Sequence, residues 1–194
     1  IGNQVKNLTG DKISDNFIKA IGGEKKLKEV KTITMIAIAK IQGIELQIES
    51  YRKAPDKMLV KMKSPQGTMT RILNGEKAFA ISPNGNLPIT GIDLEALKEE
   101  ATIFPELYRE RFGHKLEYIG IEKVNEREMY KVKVLMPNGN SRFQLYDKET
   151  NLLNKIIDEL ETESYYDEYK EINGVKMPHS NKLVSPQGTL NFKI

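Results

Sequence analysis

The stretch IELQIES at 44–50 alternates without a break, with Ile44, Leu46 and Ile48 on one face and Glu45, Gln47 and Glu49 on the other. A side-chain period of 2 belongs to a β-strand, and apolar-in, polar-out alternation belongs to an antiparallel strand with one covered face. The pattern recurs along the chain. KMLVKMK sets Met58, Val60 and Met62 against Lys57, Leu59, Lys61 and Lys63. YKVKV sets Tyr130, Val132 and Val134 against Lys131 and Lys133, and RFQLY turns Phe143 and Leu145 inward. Because register moves whole faces together, Ile44, Leu46, Ile48, Met58, Val60 and Met62 are expected to face covering helices, with Glu45, Glu49, Lys61 and Lys63 in solvent.

One tetrapeptide form punctuates these strands. SPQG at 64–67, SPNG at 82–85, MPNG at 136–139 and SPQG at 185–188 all read x-Pro-polar-Gly. Pro presets φ at the second position of a turn and Gly admits positive φ at the fourth, so the form reads as one hairpin bend used repeatedly. Asn74-Gly75 and Asn173-Gly174 add two further turn signals. Less regular strands are expected at 32–41, 68–73, 77–81, 115–124, 152–160, 163–172, 175–184 and 189–194.

Helical spacing appears in two places. Ile13, Phe17, Ala20 and Ile21 share a helix face, started by Thr9 and Asp11 and stopped by Gly22-Gly23; a short second helix follows over 24–30. In mid-chain Ile92, Leu94, Leu97 and Ala101 form a looser stripe that Pro105 is expected to break, with Leu107, Tyr108 and Phe112 on a further helical piece. The sum is an α+β fold: a large curled antiparallel sheet, a half-barrel of about ten or eleven strands, with helices covering its concave face. No domain boundary shows, so residues 1–194 read as a single domain.

Composition excludes several functions. Thirty basic and 27 acidic residues are interspersed, which leaves no basic field for nucleic acid. The absence of Cys excludes disulfides, thiolate metal sites and a cysteine nucleophile. No apolar run approaches the roughly 20 residues of a membrane-spanning helix. The chain begins at Ile1 rather than Met, as a processed or trimmed product would, and shows no signal peptide. His114 and His179 stand in no zinc-binding spacing, and no nucleophile elbow, P-loop or dinucleotide fingerprint occurs. The acidic run from Glu159 to Glu171 and the basic EKKLKEVK at 24–31 read as solvated faces. The expectation is a chain without catalysis, cofactor or metal. An apolar cavity is expected between the sheet and the helices around 92–112, lined by Met58, Val60, Met62, Phe104, Tyr130, Val132, Val134, Phe143 and Leu145. Methionine supplies a lining that adapts to unbranched chains, and Ile103-Phe104-Pro105 is expected to form part of a lid.

Several stretches together are familiar. DKISDNFIKAIGGEKKLKEVKTITM, YRKAPDKMLVKM, the segment from LNGEKAFAISPNG to EMYKVKV, YDKETNLLNKI and YDEYKEINGVKMPHS occur in an order that resembles the LolA/LolB-like superfamily. In particular the chain resembles the outer-membrane lipoprotein-sorting-type domain of Bacteroidetes, found alone or at the C-terminus of insulinase-type zinc proteases. The resemblance spans nearly the whole chain. It implies a half-open barrel closed by helices, a lipid acyl chain or lipoprotein as partner, location in the periplasm or cell envelope, and membrane contact that is peripheral. In the appended case it implies an accessory domain covalently linked to a protease whose zinc motif lies outside this chain.

Overall fold

The computed structural model describes residues 8–41, 44–186 and 188–194. Two helices, α1 (Gly10–Ala20) and α2 (Glu24–Glu29), precede β1 (Thr32–Ile41), β2 (Ile44–Lys53), β3 (Lys57–Ser64), β4 (Gly67–Asn74), β5 (Lys77–Ser82) and β6 (Gly85–Ile89). Then come α3 (Gly91–Ala101) and a 3-10 turn at Pro105–Tyr108. The strands resume with β7 (Lys115–Val124), β8 (Arg127–Leu135), β9 (Ser141–Asp147), β10 (Leu153–Ile157) and β11 (Glu163–Asp167). Next are β12 (Lys170–Ile172), β13 (Val175–Met177), β14 (Ser180–Ser185) and β15 (Gly188–Lys193). Thirteen strands hydrogen-bond in the order β6-β5-β4-β3-β2-β1-β15-β14-β11-β10-β9-β8-β7, and β12 and β13 form a separate hairpin.

The class is the expected α+β antiparallel one, with more strands than expected. β6 contains Pro88, which reads as a strand breaker but sits on the outermost strand, where a missing N–H is tolerated. The expected strands at 163–172 and 175–184 each divide, the first after Asp167, where Glu168 takes a positive φ of 52°, and the second at Pro178. Asn173 and Gly174, both at positive φ, close the β12–β13 hairpin at the expected turn. The Ser-Pro-x-Gly turns share one hydrogen-bonded form. Ser64 Oγ accepts from the Gln66 N–H at 3.2 Å and donates to the Gly67 carbonyl at 3.2 Å. Ser82 repeats this with Asn84 at 3.2 Å and Gly85 at 3.3 Å. Ser185 donates to the Gly188 carbonyl at 3.3 Å, and Gln187 lies outside the described residues. MPNG has no hydroxyl and closes differently, through the Gly139 N–H on the Met136 carbonyl at 3.0 Å.

The chain divides into two compact units. The first comprises residues 1–27 and 106–189. In it Thr9 caps α1 by accepting from the Lys12 N–H, and Ile13, Phe17 and Ile21 are buried. Gly10 lies so close to β7 that an added Cβ would sit 2.8 Å from the Leu116 carbonyl carbon. Phe17 packs on Tyr146 with ring centroids 5.5 Å apart. Arg109, just past the 3-10 turn, holds α1 through Asp11 at 3.1 Å and Asp15 at 2.8 Å. Val132 and Val134 are buried as expected.

β9 differs from its expected facing. Phe143 pairs with Lys133 and Leu145 with Lys131, so both lie on the face opposite Tyr130, Val132 and Val134. Gln144 and Tyr146 take the valine face instead, where the Tyr146 hydroxyl donates to Gln144 Oε1 at 2.9 Å. Alternation misleads here because β9 is buried on both faces, from Gln144 through Asp147.

The second unit comprises residues 28–105 and 190–194. Its core gathers Ala37, Ala39, Ile48, Met58, Val60 and Leu73 from the strands with Leu97 and Ala101 from α3. The β2 register is the expected one, with Ile48 buried, Leu46 half-buried and Gln47 exposed. Pro105 does not break a helix: α3 already ends at Ala101, Thr102 takes an extended conformation, and the Thr102 hydroxyl donates to the Lys98 carbonyl at 2.8 Å.

Candidate functional site

Cross-strand pairing places residues of the second unit in rows on the α3 side of the sheet. One row is Arg52, Met58, Leu73, Ala78 and Ile89, and the next is Ser50, Val60, Arg71, Ala80 and Leu87. α3 covers the first row through Leu97 and Ala101, and reaches the second where Glu100 meets Arg71. The Arg71 guanidinium donates from both terminal nitrogens to the two Glu100 oxygens, at 2.9 and 2.7 Å. Such a fork fixes orientation as well as distance. Lys98 adds a second tie, to Glu76 in the β4–β5 turn at 2.7 Å and to Glu95 at 2.9 Å. Its hydrogen bonds, to Glu76 first and then Glu95, raise the Lys98 pKa above its ordinary value and keep it charged.

Beyond Arg71 the apolar face continues uncovered. The third row is Ala37, Ile48, Met62 and Met69. Met62 is 38% exposed and Met69 57%, although both stand on the face that forms the core two residues away. Beside this shelf, an open cleft of about 500 Å³ runs between α3 and β4–β6. Its apolar walls include Leu87, Ile89 and Leu97, and Arg71, Asp93 and Glu100 supply its polar groups. A cleft of this size, with apolar and polar walls in comparable measure, has room for a small ligand or part of a chain.

The sequence-predicted residues divide between the units. Met58 and Val60 are buried in the core of the second unit, Met62 is on its open shelf, and Phe104 is half-buried after α3 at φ 55°. Tyr130, Val132, Val134, Phe143 and Leu145 belong to the first unit. Sequence reasoning missed Met69, Arg71, Leu87 and Glu100. In TMTRIL both faces carry an apolar residue, so alternation alone does not say that Met69 and Arg71 share the core face. Glu100, 29 residues from Arg71, carries no local signal.

His114 stacks beside Phe112 at 5.8 Å, and His179 is fixed by an Nδ1 contact of 3.0 Å to the Met177 carbonyl. Among the described residues no group of three or more His, Asp and Glu could hold a metal.

The chain has the fold of proteins of the LolA superfamily. It is similar over 95% of its length to a LolA superfamily protein from Nitrosomonas europaea, with TM-score 0.62, 10% identity and 90% of that chain covered. A DUF1329 family protein from Desulfovibrio piger is similar over the same shares of both chains, with TM-score 0.60 and 9% identity. A Vibrio parahaemolyticus domain described as an outer membrane lipoprotein-sorting protein gives TM-score 0.57 at 12% identity, over 95% of this chain and 89% of that one. No protein-family model and no curated protein matches the chain.

Proposed function

We propose that this protein is a non-catalytic lipid- or lipoprotein-binding module of the bacterial cell envelope, which lays an apolar chain along the α3 side of its second unit. The observation that carries the reading is the pair Met62 and Met69, exposed on the same sheet face as the core, with Met69 two residues along β4 from Arg71 of the cleft. Unbranched, polarizable thioethers adapt to a flexible alkyl chain. Met58 and Val60 form the packed floor beside them, and the Arg71–Glu100 fork fixes α3 as the wall. The description of the Vibrio parahaemolyticus domain as an outer membrane lipoprotein-sorting protein supports an envelope setting and a lipidated partner.

Displacement of a fluorescent fatty acid from the 194-residue chain, with lipid extraction of the purified protein, tests the reading. The native chain is expected to bind the probe. The double variant Met62→Asp, Met69→Asp is expected to bind at least about tenfold more weakly, since two apolar contacts are lost and a carboxylate meets the alkyl chain. Both positions are exposed, so the melting temperature should barely move. Equal binding by the double variant, or no uptake by the native chain, would remove the proposal.

A further inference from the structure

The sheet of the second unit has another face, opposite α3. One row on it runs Thr34, Tyr51, Leu59, Ile72, Phe79 and Pro88 across β1 to β6. Tyr51 is 38% and Phe79 43% exposed, and on the same face of β1 Ile36 is 55% and Ile38 47% exposed. An uncovered sheet face ordinarily carries polar residues, so folding alone does not account for these. The adjacent row is Lys53, Lys57, Asn74 and Lys77, all exposed. Lys53 and Lys57 are direct cross-strand partners, a like-charge pairing that costs stability. No ion pair joins these three lysines to any described carboxylate. The strand carboxylates of this face are already held, Glu45 by Lys40 at 3.9 Å and Glu49 by Lys63, and Glu76 is turned to Lys98. Asp56 in the β2–β3 turn is the remaining acidic neighbour of the row.

We propose that this face docks on the surface of an anionic lipid bilayer, with Ile36, Ile38, Tyr51 and Phe79 at the headgroup boundary and Lys53, Lys57 and Lys77 on the anionic headgroups. An apolar surface edged by uncompensated lysines is the combination that binds such interfaces. Lysines, flexible and strongly hydrated, suit a fluid array of headgroups better than one fixed acidic partner, for which arginine forks are the usual device. Among the described residues no helix is long and apolar enough to cross a membrane, and contact through this face is peripheral.

Flotation of the full chain with vesicles tests this. The chain is expected to float with phosphatidylcholine vesicles containing about a third phosphatidylglycerol, to stay behind with phosphatidylcholine alone, and to release as salt screens the lysines. At roughly fivefold per lysine, the triple variant Lys53→Glu, Lys57→Glu, Lys77→Glu should partition about a hundredfold more weakly. Phe79→Ser with Ile36→Ser should weaken what binding survives in high salt. These side chains are exposed, and an unchanged melting temperature will separate lost docking from lost fold. The Met62→Asp, Met69→Asp chain should float like the native one, so this proposal and the ligand proposal fail separately. Native-like flotation of the triple lysine variant, or equal flotation with both vesicle types, would overturn the proposal. So would flotation with neither, which would leave the face to an acidic protein.

Discussion

Asp147, at the end of β9, is only 2% exposed and yet ionised. It accepts from the backbone N–H groups of Glu149 and Thr150 at 3.0 and 2.7 Å and from the Thr150 hydroxyl at 2.9 Å, and it faces Arg127 at 2.6 Å. Burial by itself would raise its pKa. The hydrogen bonds from Thr150 and the charge of Arg127 together outweigh burial and hold the carboxyl below its ordinary value of 3.8. A folded-state pKa below the unfolded one adds stability that is fully present above the unfolded value and is lost as pH falls through the folded one. Asp147→Asn is therefore expected to cost about 1–3 kcal/mol near neutral pH. The gap to the native chain should narrow below about pH 4, as the native carboxylate takes up its proton. Urea unfolding along a pH series measures this, and a gap that stays constant into acid would show that charge is not its source. Nothing in YDKETN marks that Asp as buried, since D-x-x-T reads as an ordinary surface turn. The burial comes from the strands on either side, and pairing between strands cannot be read from one segment.

At the scale of elements, legibility followed how local the physics is. The Ser-Pro-x-Gly bends were readable because proline, a hydroxyl and glycine determine them within four residues, and α1 because its cap, stripe and Gly-Gly stop lie within one short stretch. β6 was not, because whether a proline-containing segment pairs depends on its neighbour and on its place at the sheet edge. β9 was assigned to the wrong face because Phe143 and Leu145 outweigh Gln144 in hydropathy, while Tyr146 supplies the packing against Phe17. The bends also yield a prediction that separates two costs. Gly67 and Gly85 occupy equivalent positions with nearly the same φ, 129° and 130°. An added Cβ at Gly67 would lie 2.8 Å from Pro83 Cγ, whereas at Gly85 it meets nothing within 4 Å. Gly85→Ala should therefore cost only the strained backbone, on the order of 1–2 kcal/mol. Gly67→Ala should cost more, by about a further 1 kcal/mol, because a proline ring at the mouth of the next hairpin must move. Paired thermal melts decide it. Equal losses would mean that the Pro83 hairpin yields without resistance.

For the whole molecule, the division into two units was illegible because its boundaries coincide with no linker. They fall between Leu27 and Lys28, between Pro105 and Glu106, and between Thr189 and Leu190, the last inside β15. Composition does not change at any of the three. The candidate site was legible only in part. The methionines of β3 were visible as an apolar stripe. That Met62 is open while Met58 is closed depends on how far along the strands α3 extends, which no strand pattern contains. The last strand matters more than its length suggests. Residues 190–194 belong to the second unit, where Leu190, Phe192 and Ile194 pack against its core and Phe192 and Lys193 pair with Ala39 and Ile38 of β1. Removing residues 190–194 should strip β1 of these partners and uncover Ala39, which is fully buried. The loss of three apolar side chains, each half-buried, should amount to about 3–5 kcal/mol, a fall in melting temperature on the order of 10 °C for a chain of this size. Phe192→Ala should reproduce roughly half of that fall, because it removes the largest of the three side chains but keeps the strand pairing. If the truncated chain melted with the native one, the final strand would add nothing to the core of the second unit, and the buried position of Ala39 would need another explanation.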